Sequence, residues 1–314
     1  MTVAATADFE LLIAPHRAVL RAHCYRMLGS SADADDALQE TLLRAWRGMP
    51  SFQGRSSLRS WLYRVATNVC LRMLEKRPQR MLPIDAGPAA DPHGSAGREP
   101  AAEVPWLEPF ATPEATYEQR ESVELAFIAA LQHLPARQRA VLVLRDVLGF
   151  EPAEIAETLD ASPAAVYSAL QRAHKAVEER LPEHSQQATL RALGDDALRE
   201  LAQRYVDAWE REDVDALVAL LAEDATFAMP PRPAWFRGRR AIGEFLAGGP
   251  LSGGHRWRRV PVDANGQTAF GIYDDGLAHA VELLTMSAAG EITDVITFHD
   301  PAAFAALGLP ESLA

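Results

Sequence analysis

Arg55, Arg59, Arg64 and Arg72 stand beside Trp61 and Tyr63 in the first quarter of this 314-residue chain. Cations interleaved with rings suit a single-stranded nucleic acid: guanidinium groups follow phosphates, while rings and guanidinium planes stack on unpaired bases. Upstream, Asp35, Asp36, Gln39 and Glu40 recur at spacings of one, three and four, so a helix places them near one another. Such a polar, acidic face fits a basic or amide-rich partner helix, or is simply solvated. Near the middle, Ser162-Pro163 opens a helix with Ala164, Tyr167, Ser168, Gln171, Arg172 and Lys175 on its outer side. Gln171 can pair bidentately with adenine, and Arg172 and Lys175 suit phosphate or guanine. The last third holds titratable candidates for acid/base chemistry: Asp207, Asp224, His279, Glu282, His299 and Asp300. An acid and a base brought together in an apolar pocket can move protons. Nothing in their spacing brings any two together.

The elements that must position these groups follow from periodicity and punctuation. Asp33, Asp35 and Asp36 complement the start of a helix running to about Trp46. Leu38, Leu42, Leu43 and Trp46 recur on one side of it. After turns at Gly48-Met49-Pro50 and Gln53–Ser57, a second helix is predicted from about Leu58 to Glu75. Residues 81–113 contain 7 Pro and 3 Gly, which reads as a linker. Inside it lies an apolar island, Val104-Pro105-Trp106-Leu107-Glu108-Pro109-Phe110, suited to docking on a domain of the same chain or on a partner. Pro152 to Leu159, the turn Asp160-Ala161-Ser162 and the helix from Pro163 form a helix-turn-helix pattern. Ile155, Ala156, Leu159, Val166 and Leu170 are spaced to bury the contact between its helices. A helix is predicted over Asp196–Glu223. Short strand-like stretches follow at 225–229, 256–262, 268–273, 278–286 and 292–299, which suggests an α+β domain with a sheet curled around a pocket.

Composition bounds the rest. The length predicts two or three domains. The net charge of −12 argues against a nucleic-acid binder until it is divided. Residues 1–80 hold 12 Lys+Arg against 7 Asp+Glu, whereas residues 81–118 hold 1 against 7. A basic N-terminal part joined to an acidic remainder suggests that only part of the chain faces phosphate. Two cysteines, Cys24 and Cys70, exclude a disulfide scaffold and a four-cysteine zinc site. No apolar run is long enough for a membrane helix, and Met1–Ile13 has no basic segment resembling a secretory signal. A soluble cytosolic protein without metal or cofactor is expected.

Taken together, the segments Asp33–Trp46 and Phe52–Cys70 resemble region 2 of the extracytoplasmic-function (ECF) sigma factors of bacterial RNA polymerase. Residues 134–181 resemble region 4 of that family. The resemblance implies that Asp35, Asp36, Gln39, Glu40 and Arg44 hold core RNA polymerase at its β′ clamp helices. It implies that Phe52, Arg55, Ser56, Ser57, Arg59, Trp61, Arg64 and Asn68 read and melt the −10 promoter element, although Trp61 can equally belong to the core. It also implies that Ala164, Tyr167, Ser168, Gln171, Arg172 and Lys175 contact −35 DNA, with region 4 on the β flap. One departure stands out: where the family tends to place Arg two residues after the equivalent of Arg172, this chain has His174, with Glu178 and Glu179 just beyond. Weak free-standing DNA binding is therefore expected. The acidic linker resembles the family's segment that threads toward the RNA exit path.

From about Leu198 to Gly308 the chain resembles a SnoaL-like domain, a cone-shaped fold. Tyr205–Trp209, Asp213–Leu217, Leu220–Ala225 and Trp235–Ile242 carry that resemblance. Trp209, Phe227, Met229, Trp235, Phe270, Tyr273 and Phe298 can line a cavity for a small-molecule ligand or fill the core.

The expected organisation is multidomain: all-α region 2 over 8–80, an acidic Pro-rich linker over 81–118, a region 4 helix-turn-helix over 119–184, and an α+β SnoaL-like cone over 192–310. The expected function is promoter-specific transcription initiation with core RNA polymerase, without chemical catalysis, the cone regulating it. Two other readings stay open: a SnoaL-type enzyme fused to a targeting module, and a helix-turn-helix regulator independent of polymerase.

Overall fold

The computed structural model describes residues 9–54, 56–94, 99–101, 103–111, 120 and 122–313. The chain divides into two compact units. One is helical and combines residues 1–79 with 126–181; the other combines 80–125 with 182–314.

In the helical unit, α1 (Arg17–Leu28), α2 (Ser31–Gly48) and α3 (Leu58–Leu74) come from the first segment. Helix α4 (Leu125–Gln132), α5 (Ala136–Leu142), α6 (Pro152–Leu159) and α7 (Pro163–Glu178) follow. The starts are set by serine caps: Ser162, expected from the sequence, and Ser30 and Ser57 each accept a backbone N–H of the first turn. The turn between α6 and α7 places Asp160 in the left-handed region at φ 50°, a conformation that Asp tolerates better than most residues.

Helix α2 does not bury the face its leucines suggest. Its core side is Ala34, Ala37, Thr41 and Ala45, small residues that allow close approach to α1 and α3. Leu43 is 51% exposed, and Leu38, Leu42 and Trp46 are half-buried. Tyr63, which the sequence offers as a ring for nucleic acid, is buried instead and packs edge-on against His23 and Phe150. Burial and the neighbouring Arg26 lower the His23 pKa to about 3, so the ring is neutral; its Nε2 lies 2.9 Å from Thr67 Oγ1.

The second unit opens with the Pro-rich stretch, which is no free tether. Backbone bonds seat it on the sheet domain: Ala90 N–H donates to Trp235 O at 2.7 Å, Ala101 N–H to Pro231 O at 2.9 Å and Phe110 N–H to Asn265 Oδ1 at 2.8 Å. Trp106, Leu107 and Phe110 are buried. The island therefore docks on a domain of its own chain.

Next come α8 (Gln186–Leu193), α9 (Asp195–Glu210) and α10 (Val214–Leu220). The single helix expected to Glu223 breaks at Arg211–Asp213, where Glu212 has φ 53°, and strand β1 (Leu221–Ala228) begins before Glu223. β2 (Trp235–Arg237), absent from the sequence reading, and α11 (Arg239–Gly248) follow. β3 (Trp257–Ala264), β4 (Gln267–Asp274), β5 (Leu277–Met286), β6 (Ile292–Phe298) and α12 (Pro301–Ala306) complete the unit. The sheet order is β2-β1-β6-β5-β4-β3; β1 and β6 are parallel and the other pairs antiparallel. Leu201, Tyr205, Ala208 and Trp209 form the helical stripe of α9 that packs into the core with Phe270, Ile272, Ala280 and Leu284 of the sheet.

The β3–β4 hairpin turns on Asn265-Gly266, both with positive φ, 52° and 63°, as a tight two-residue hairpin turn prefers. Asn265 is fully buried, and its side chain bridges the Pro-rich stretch and the segment after it: Oδ1 accepts from Phe110 N and Nδ2 donates to Val123 O at 2.8 Å.

Candidate functional site: two helical faces and a cavity

On α2, Asp35, Asp36 and Gln39 are exposed, while Glu40 and Arg44 are half-buried and bonded to each other at 2.5 Å. Asp35 is held by Arg21, with Nε–Oδ1 2.6 Å. Leu43 rises from this same face, at i+4 from Gln39. The result is a polar, acidic face around one exposed leucine, a composition the spacing of the acids showed and the leucine pattern hid.

On α7, Ala164, Tyr167, Ser168, Gln171, Arg172 and Lys175 are all exposed, while Val166, Ala173 and Val177 are buried on the other side. Arg172 Nη1 donates to Ser168 Oγ at 2.7 Å, one turn away. His174, where the family pattern has Arg, meets Asp146 at 2.6 Å and so ties α7 to its own domain.

The face of α3 is different. Arg59 Nη2 donates to Leu148 O at 2.7 Å, and its guanidinium lies 4.7 Å from the centre of the Phe150 ring. Ser60 Oγ donates to Glu154 Oε1 at 3.2 Å, and Arg64 Nη2 meets Glu157 Oε2 at 2.8 Å. Of the arginines proposed to track DNA, Arg59 and Arg64 are thus occupied by α6 and the turn before it, whereas Arg72 is exposed. Trp61 is half-buried and packs against Phe52 at 5.1 Å between ring centres. Ser57 caps α3, Ser56 is half-buried, and Asn68 Nδ2 donates back to Arg64 O at 2.9 Å. Arg55 lies outside the described residues. Beneath this rim, Arg139 is buried and donates to Gln132 Oε1 at 2.6 Å, to Gln132 O, to Leu134 O and to Met27 O. Burial lowers its pKa to about 10, so it stays charged at pH 7. Leu148, Phe150, Glu154 and Glu157 carry no sequence signal for this contact, since only folding brings them opposite α3.

The second unit contains a cavity of about 190 Å³ lined by residues including Trp209, Phe227, Met229, Arg232, Arg259, His279, Glu282 and His299. Of the aromatic candidates, Trp235, Phe270, Tyr273 and Phe298 are not in its wall. Trp235 donates its indole N–H to Gly87 O, Phe270 stacks on Tyr205, and Tyr273 packs on Phe304. Phe298 lies between Thr297 and His299, both of which reach the cavity, and strand alternation turns it to the opposite face. Of the titratable candidates, His279, Glu282 and His299 converge. Asp207 accepts from Gln203 on the helix surface, Asp224 is exposed, and Asp300 caps α12.

Glu282 is fixed from three directions: Arg259 Nε at 3.2 Å, Tyr205 O–H at 3.0 Å and Thr297 O–H at 3.0 Å. Both side chains of the Arg259–Glu282 pair are 1% exposed. His279 owes its position to a bulge. Tyr273 pairs with Ala278 and Ile272 with Ala280, so His279 is the extra residue, and a bulge re-aims a side chain. Its ring lies 4.9 Å from that of His299. Burial, then Arg232 and His279, lower the His299 pKa to about 3. Burial chiefly lowers that of His279. Among the described residues no group of metal-ligating side chains is found, and no helix is long and apolar enough to cross a membrane.

Comparison with known proteins places these features. Residues 12–79 match the Sigma-70 region 2 family, 124–177 the Sigma-70 region 4 family and 202–301 the SnoaL-like domain family. The chain is 43% identical over 319 residues to the ECF RNA polymerase sigma factor SigG of Mycobacterium tuberculosis, covering 98% of this chain and 85% of that protein. It is 31% identical over 188 residues to the ECF sigma factor SigE of Mycolicibacterium smegmatis, covering 58% and 65%. The crystal structure of the Mycobacterium tuberculosis extracytoplasmic function sigma factor SigJ shares the fold, with 24% identity, 97% and 100% coverage and a TM-score of 0.62.

Proposed function

The chain belongs to the ECF RNA polymerase sigma factors, which direct promoter-specific transcription initiation, and from that premise we propose which of its surfaces perform each step and how they are controlled. Core polymerase docks on the α2 face, through Asp35, Asp36, Gln39, Glu40 and Arg44 around the exposed Leu43. An exposed apolar side chain ringed by polar groups has the composition of an interface anchor. The outer face of α7 reads −35 DNA. Its charge is low: Arg172, Lys175 and Arg180 stand against Glu178 and Glu179. Each missing phosphate contact lowers affinity and salt dependence, so stable promoter binding requires polymerase to present both helical segments together.

The −10 helix is held shut. The observation that carries this reading is the engagement of Arg59, Ser60 and Arg64 by Leu148, Glu154 and Glu157. A DNA strand needs those same donors, so DNA engagement and the closed contact exclude each other. Residues 80–125, most of the stretch joining α3 to α4, belong to the sheet unit, and their seat on Asn265 and Trp235 limits the slack of that connection. The cone regulates initiation by holding or releasing this stretch. Initiation itself uses binding energy rather than bond chemistry, and Glu282, whose carboxyl oxygens accept from three donors, is held as a fixed acceptor rather than an open general base.

Run-off transcription with core polymerase and the full-length chain tests the assignment. Transcript should require both components, and Asp36→Lys with Gln39→Ala should lower it at least about tenfold without changing thermal stability. Unaltered transcript from that variant would contradict the α2 assignment.

A further inference from the structure

The cavity of the sheet unit has a definite chemistry. Its apolar wall includes Trp209, Phe227, Phe245 and Trp257. Its volume of about 190 Å³ compares with an engineered cavity of about 150 Å³ that holds one benzene, so it suits one substituted ring. Its polar side is cationic. Arg232 and Arg259 face a single carboxylate, Glu282, and the two imidazoles are neutral at pH 7. Arg259 spends its Nε on Glu282, but its Nη1 is buried with no hydrogen-bond partner. A buried, charged donor left unpaired is costly. Arg232 pairs with no carboxylate among the described residues, and its charge acts on both His279 and His299, which places it beside them at the same cavity. The Arg259 guanidinium is meanwhile fixed, 3.9 Å from the centre of the Trp209 ring, so the donor is oriented before any ligand arrives.

We propose that this cavity binds a single-ring monocarboxylate, with the ring between Trp209, Phe227, Phe245 and Trp257 and the carboxylate on Arg232 and Arg259 Nη1. One anion neutralises the excess cation and satisfies the orphan donor in the same act, which neither a neutral hydrocarbon nor a cation does. The site lies wholly in the sheet unit, so it stands or falls independently of the assignments made for the helical faces.

The test uses the full-length chain, titrated calorimetrically with benzoate, cyclohexanecarboxylate, benzamide, toluene and acetate. A saturable response to benzoate or cyclohexanecarboxylate in the millimolar range or tighter, and at least about tenfold weaker binding of benzamide, toluene and acetate, supports the proposal. Arg232→Gln leaves the Arg259–Glu282 pair intact and should weaken the two ring carboxylates at least about tenfold without lowering thermal stability. Met229→Phe narrows the cavity and should weaken the ring carboxylates while leaving the response to acetate unchanged. Failure of both ring carboxylates to bind, or equal binding of benzoate and benzamide, would overturn the proposal. So would benzoate affinity unchanged in Arg232→Gln.

Discussion

The helical unit and the sheet unit each carry an arginine–glutamate pair, built to opposite specifications. Arg64–Glu157 spans 2.8 Å with side chains 38% and 73% exposed, whereas Arg259–Glu282 spans 3.2 Å with both at 1%. An exposed pair contributes between nothing and about 1 kcal/mol and is screened by salt. A buried pair gains little net stability, yet removing one partner costs about 3–5 kcal/mol because the other charge is stranded. The first is a contact that water can replace. The second is a fixture. The contrast separates a solvent-exposed contact from an interior one that holds a single geometry, and on the function proposed above the contact that opens is the exposed one.

The largest expected effect tests the fixture. Glu282→Leu strands the Arg259 guanidinium and should destabilise the sheet unit by about 3–5 kcal/mol in urea denaturation. Adding Arg259→Met to it should recover most of that loss. A single-variant cost under about 1 kcal/mol would erase the distinction between the two pairs.

Acidification comes next, and it acts on both units. His23 and His299 have folded pKa values lowered to about 3 by burial, against 6.5 when unfolded. Between those values the unfolded chain binds more protons, so their contribution is complete above pH 6.5 and falls as the pH drops toward 3. By pH 5 each histidine should cost up to about 2 kcal/mol, less for the partly solvated His299. Thermal melts from pH 7 to pH 5 check this, and His299→Gln should flatten the slope for the sheet unit alone.

The smallest effect sharpens the other side of the comparison. A double-mutant cycle on Arg64→Gln and Glu157→Gln should give a coupling of about 0.2–1 kcal/mol at low salt. That coupling should vanish near 1 M salt, where the screening length is about 3 Å. A coupling of several kcal/mol, insensitive to salt, would make this pair a fixture too.

Much of the architecture was legible because it rests on local chemistry. Ser162 caps the helix it precedes, Pro163 opens α7, and Asp35, Asp36 and Gln39 of α2 share one exposed face, as their spacing suggests. Features that depend on distant partners were not. The leucines of α2 suggested a buried stripe, but alanines and Thr41 make the close contact. Tyr63 carries the composition of a nucleic-acid platform and is claimed by Phe150, far along the chain. His279 reaches the cavity only because a bulge shifts it, and the Arg259–Glu282 pair forms across strands whose register the sequence does not display. The Pro-rich stretch has a linker's composition, but its described residues are seated on the sheet domain through Trp235, Pro231 and the buried Asn265. Asn265-Gly266 was the available clue, since that dipeptide between alternating strands marks a tight hairpin.

The closed −10 face is the central claim, and a distance measurement tests it most directly. Spin labels at Arg72→Cys on α3 and Ala153→Cys on α6 report the separation of the two helices in the full-length chain. Cys24 and Cys70 are buried and should not compete for the label. A single short distance in the free protein, lengthening when core polymerase is added, is the predicted result. An unchanged distance in a polymerase complex that initiates transcription would contradict it.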